Sequence, residues 1–145
     1  MTTDTLITLS QNEKLTYLKS LTYILNLSKK GGSKKESRKK LFLECHMHEL
    51  GIPLSELQSI KNNKAESIIN ELKQIPNIKI KKYMLREMIL LAIADHELSD
   101  GEISAIYQIG ARAGIKEEAI SDFFLWAAKG VEWQIEGLKL VEENI

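Results

Sequence analysis

Four times in this 145-residue chain a small polar side chain is followed three positions later by glutamate, at the edge of an apolar-periodic segment. The four sites are Ser10-x-x-Glu13, Ser33-x-x-Glu36, Asn63-x-x-Glu66 and Ser99-x-x-Glu102. In each, the first side chain can accept from an orphan N–H of an opening helical turn, and the glutamate can reach back to the cap's own N–H. Three are capping boxes of the usual type and Asn63 is a variant. The residues that follow recur at helical spacing: Leu15, Leu18, Leu21 and Leu25 after the first, and more loosely Leu41, Leu43, Cys45, Met47 and Leu50 after the second. A chain with this many helix starts and only two prolines is expected to be all-α.

The helix ends are equally marked. Gly51 and Gly114 each close a helical run as left-handed stops, Pro53 suits the first turn of a short helix, and Gln74-Ile75-Pro76-Asn77 closes a further segment. The run from Tyr83 to Ala94 is apolar on more than one face, as expected for a helix surrounded by others. Two more helices are expected at Lys116 to Ala128 and Val131 to Glu143, joined at Gly130. The expectation is one domain over residues 1–145, a compact bundle of seven or eight helices. Cys45 is the single cysteine, which excludes an intrachain disulfide framework and favours a reducing compartment. The start lacks the pattern of a secretory leader, and the longest apolar run, Met88 to Ala94, is too short to span a bilayer. A cytoplasmic protein is expected.

The formal charge of zero conceals two opposite halves. Residues 1–83 hold 15 Lys and Arg against 8 Asp and Glu, and residues 84–145 hold 5 against 12. The basic excess is densest from Lys29 to Lys40, a glycine-broken turn running into a helix. Lys29, Lys30, Lys34 and Lys35 are its candidate contacts for an acidic partner. The run has no interleaved aromatics and no nucleic-acid motif, so a solvated turn competes with that reading and nucleic acid is disfavoured.

A weak internal repeat relates a first helical hairpin, about residues 11–51, to a second, about residues 79–114. The superposition places Ser33-x-x-Glu36 on Ser99-x-x-Glu102 and Gly51-Ile52 near Gly114-Ile115. Where the second hairpin has Asp95, His96, Glu97 and Leu98, the first has Lys29, Lys30, Gly31 and Gly32. The turn is shared and its acidic charge is not. Asp95, Glu97, Asp100 and Glu102 lie within eight residues, so the chain must separate them, protonate one, or supply a cation.

The string Ala94-Asp95-His96-Glu97-Leu98-Ser99-x-x-Glu102, behind an apolar helix and ahead of one ending near Ala113-Gly114-Ile115, resembles the signature of the TerB-like tellurite-resistance family. The N-terminal domain of DjlA-type co-chaperones has a similar pattern. The resemblance is clearest from Tyr83 to Ala128, and His96 stands where the family usually has glycine. It implies a compact helical bundle without enzymatic activity. It also implies divalent-cation binding by acidic side chains, in a stress-response or membrane-associated complex.

Two of the four acidic residues also have a purely structural explanation. Capping accounts for Ser99 and Glu102, and a carboxylate at Asp100 suits the positive end of a helix dipole. Asp95 and Glu97 are required by neither and are the sharper metal candidates. Oxygen ligands favour Ca²⁺, Mg²⁺ or Mn²⁺. The spacing is not an EF-hand: counted from Asp95, Asp100 falls where glycine is required and Ile106 where a bidentate glutamate belongs.

Elsewhere, Cys45 and His48 share a helix face but have no evident third ligand, so a core cysteine with surface histidines is expected. No phosphate loop, nucleophile elbow or zinc-histidine helix is present to carry catalysis. Phe123, Phe124, Trp126 and Trp133 are expected mainly in the core; the less favoured alternative is an exposed aromatic edge there, which would be a partner site. Two functions compete. One is a cation-binding TerB-like module holding Ca²⁺, Mg²⁺ or Mn²⁺. The other is a metal-free interaction or co-chaperone-like module whose oppositely charged hairpins meet a protein partner or a second copy.

Overall fold

The structure, a computed structural model, describes residues 8–27, 33–56, 64–95 and 98–143, the side chains of residues 33–37 excepted. Among the described residues there are six α-helices: α1 (Gln11–Leu27), α2 (Ser33–Leu50), α3 (Ala65–Lys73), α4 (Ile78–Ala92), α5 (Asp100–Arg112) and α6 (Glu117–Glu142). A 3-10 turn, Leu54–Glu56, follows Pro53, whose carbonyl accepts from the Glu56 N–H at 3.0 Å.

The caps form where their geometry is described. Ser10 Oγ accepts from the Glu13 N–H and Glu13 Oε1 accepts from the Ser10 N–H at 2.8 Å, a complete capping box. Ser99 and Glu102 form the second. Asn63 lies outside the described residues, and α3 starts after Lys64 without a side-chain cap. Asn77, expected only as the end of a segment, also begins one, its side chain accepting from the Lys79 N–H at 2.9 Å. Gly51 (φ 72°) and Gly114 (φ 101°) are the expected left-handed stops. Both carry the same two bonds: the glycine N–H reaches back three residues and the following isoleucine N–H reaches back five, which is the Schellman pattern.

Among the described residues the expected seven or eight helices are corrected to six α-helices, because the short helix expected after Pro53 is a 3-10 turn and α6 runs unbroken through Gly130 for 26 residues. Unlike the two stops, Gly130 has no positive φ. A lone helical glycine costs about 1 kcal/mol relative to alanine, which weakens a helix without ending it.

Helix α4 is the axis of the bundle. Met84, Leu85, Met88, Ile89, Leu91 and Ala92 are buried, and it packs against α1, α2, α5 and α6. Helix α1 adds Tyr17, Leu18, Leu21, Ile24 and Leu25 to the same core and touches α3 as well. Gly110 allows α5 to approach α4 and α6 closely. A Cβ there would stand 2.9 Å from Ile120 Cδ1 and 3.0 Å from Leu85 Cδ1. The first half of α6 is fastened by buried Ile120 and Ala127, by Phe124 stacked on Tyr107 at 5.2 Å, and by the Tyr107–Ser121 hydroxyl pair at 2.6 Å.

Candidate functional site

The acidic turn follows α4. Ser99 Oγ accepts from the Glu102 N–H at 3.1 Å and donates to Glu102 Oε1 at 2.9 Å, and the same Oε1 accepts from the Ser99 N–H. This leaves Oε2 of Glu102 directed at α2. There it accepts from Lys39 Nζ at 2.9 Å, and Asp95 Oδ2 lies 3.8 Å from the same ammonium. All three side chains are withdrawn from water, Lys39 being only 2% exposed. A lysine this deep needs an anionic partner to offset the loss of hydration, and buried carboxylates need a cation for the same reason.

The structure therefore brings together two of the four expected ligands, Asp95 and Glu102, around an internal ammonium. Asp100 is exposed at the first position of α5. Glu97 lies outside the described residues, as do Lys29 and Lys30, and the side chains of Lys34 and Lys35 in the opening of α2 are likewise outside them. Among the described residues no three His, Cys, Asp or Glu side chains converge as a ligand group.

Lys39 was not singled out from the basic run, although its register identifies it. It stands four and eight positions before Leu43 and Met47, both buried, so it continues the apolar face of α2.

A second polar group joins α2 to α4. His46 lies between the Phe42 carbonyl at Nδ1 and Glu87 Oε1 at Nε2, each 2.9 Å away. Both partners are acceptors, so the geometry suits the doubly protonated ring. Burial opposes that charge, but the bonds to Glu87 and Phe42 outweigh it and hold the His46 pKa above the usual histidine value. Arg86 Nε also donates to Glu87, at 2.8 Å. Tyr17 meets His46 edge-on at 5.8 Å, and burial pushes its hydroxyl above the ordinary phenol range. The expectation of a core cysteine with surface histidines is corrected: Cys45 is exposed, and of the pair in this motif only His48 faces water. Phe42 and His46, four residues apart, share the inward face, and Cys45 points away.

Beside the acidic turn lies an apolar groove of about 530 Å³, lined by Phe42 of α2, Leu90 of α4, Ile93 and Ala94 of the turn, and Trp126, Gly130 and Trp133 of α6. Ala94 belongs to both features. Beyond the groove α6 leaves the body, and every residue from Glu132 to Glu142 is exposed. Trp126 is 50%, Trp133 74% and Val141 81% exposed, with Leu138 and Leu140 between them also open. The aromatic cluster thus divides. Phe123 and Phe124 pack against the core, whereas the tryptophans form an uncovered edge. Among the described residues no helix is long and apolar enough to cross a membrane. Comparison with protein-family models, with curated proteins and with solved structures gives no match for the chain.

Proposed function

We propose that this chain is a non-enzymatic, TerB-like helical module that acts by binding a macromolecular partner through the uncovered apolar face of α6. The observation that carries the reading is the projection of Trp133, Leu140 and Val141 from the end of the bundle, continuous with an apolar groove. Contiguous exposed apolar surface on a folded domain marks an interaction site, and tryptophan is the residue most often found at the energetic centre of one.

The arrangement of the acidic turn favours this metal-free reading over the divalent-cation reading. Lys39 already supplies the positive charge that Asp95 and Glu102 require. The opposite charges of the two hairpins are also partly spent inside the molecule, because the same contact joins the basic segment to the acidic one.

A photo-crosslinking amino acid placed at Trp133 tests the proposal in cells, with the same group at exposed Gln108 as control. Adducts, with this chain or with another protein, are expected from position 133 and not from 108. Equal labelling from both positions, or none from 133, would refute the proposal.

A further inference from the structure

The uncovered face of α6 has an internal order that specifies its occupant. Trp126, Gly130, Trp133, Gly137 and Leu140 alternate at spacings of four and three, the seam of a heptad, and bulky side chains alternate with glycine along it. In this chain neither glycine answers to any local need. Their φ angles are not positive, and a Cβ at either would meet nothing within 4 Å. Each weakens the helix by about 1 kcal/mol relative to alanine. A solvent-exposed overhang of this length, with a glycine inside it, is marginal as an isolated helix. A helix packed close against the seam would supply the stability that the glycines withhold.

We propose that this occupant is α6 of a second copy, packed antiparallel about a two-fold axis that passes near Val131 and Glu132; the inference rests on the reading of α6 as the interaction face. In antiparallel pairing each bulky seam position meets the other class of position on its neighbour. Trp133 then covers the partner's Gly130, and Trp126 covers the partner's Gly137. The pattern is self-complementary, as an isologous contact demands.

Charge agrees with the same register. Lys129 and Glu136 flank the seam seven residues apart, too far apart along α6 to pair with each other, and the two-fold sets Lys129 of each copy beside the partner's Glu136. The second helix would lie along the existing groove, over Leu90 and Ile93. At their observed exposures the two tryptophans offer roughly 250–300 Å² per copy. With Leu140 and Val141 the total buried by both copies is on the order of 1,000 Å², the lower bound for a specific interface. A dimer with Kd on the order of micromolar is expected.

Sedimentation equilibrium of the full chain tests this. The wild type is expected to be a dimer at roughly 100 µM, and Gly130→Leu, which fills the space the partner's Trp133 needs, to be monomeric, with an unfolding midpoint no lower than the wild type's when both are compared at dilution, where association adds no stability. Lys129→Glu and Glu136→Lys should each weaken association by roughly tenfold. Because each variant supplies the charge the other lacks, an equimolar mixture should associate as tightly as the wild type. A wild type that stays monomeric at ~1 mM, or a mixture no tighter than its components, overturns the proposal. If self-association fails while position 133 still crosslinks to a different protein, the interaction reading stands and only the identity of the partner changes.

Discussion

At the scale of single residues, Lys39 does the most to define the molecule. Its ammonium lies 2.9 Å from Glu102 and 3.8 Å from Asp95, with almost no access to water. Replacing it with methionine keeps the packing but removes the buried ammonium that Asp95 and Glu102 share, a change expected to cost about 3–5 kcal/mol. Urea unfolding of Lys39→Met checks this, and adding Asp95→Asn and Glu102→Gln should restore most of the loss, because a neutral cluster needs no cation. A second prediction concerns His46, whose folded pKa is raised above the unfolded value of 6.5. Its stabilising contribution is therefore complete below 6.5 and disappears as pH rises through the folded value. The stability difference between the wild type and His46→Asn should accordingly be largest in acid and shrink with rising pH; a gap that does not change with pH would contradict the assignment. Neither side chain was legible as a partner in the sequence, for one reason. Periodicity gives the face a residue occupies, but only tertiary packing gives what it meets 41 residues away, as His46 meets Glu87, or 63 residues away, as Lys39 meets Glu102.

The caps and stops show the opposite case at the scale of elements. Ser10, Ser99, Gly51 and Gly114 act through neighbours within five residues, so their roles can be read from local spacing. Ser99→Ala is expected to cost about 1–2 kcal/mol in thermal unfolding. That is more than Ser10→Ala, because Ser99 also holds the carboxylate that receives Lys39. Two glycine substitutions separate a stop from a seam. Gly114→Ala must force an alanine to φ near 101° and should destabilise by about 1 kcal/mol or more. Gly130→Ala, measured at dilution where the chain is monomeric, should stabilise by about 0.5–1 kcal/mol. In the sequence Gly130 reads as a break because glycine's punctuation is ambiguous. At Gly114 the following Ile115 N–H bonds back to the Gly110 carbonyl and fixes the stop, while at Gly130 the helical register simply continues.

At the scale of the whole molecule, the division into a basic first half and an acidic second half was plain in the sequence, and its use was not. Ion pairs cross that division: Lys39 with Asp95 and Glu102 and His46 with Glu87 inside the bundle, and Glu66 with Arg112 on its surface. The last is exposed, and its hydrogen bonding holds the Glu66 pKa down and the Arg112 pKa up. These contacts pin α2 and α3 to the hairpin of α4 and α5 and leave α6 as the element whose apolar surface is least used. On the proposed function the acidic turn serves the fold and α6 serves the interaction. Titrating wild-type and Lys39→Met protein with Ca²⁺, Mg²⁺ and Mn²⁺ after chelator treatment, with thermal unfolding followed alongside calorimetry, tests that assignment most directly. The wild type is expected to give no binding heat and no change in unfolding midpoint with any of the three ions. A saturable heat and a raised midpoint in the wild type, both abolished by Asp95→Asn, would contradict it and return the turn to a metal-binding role.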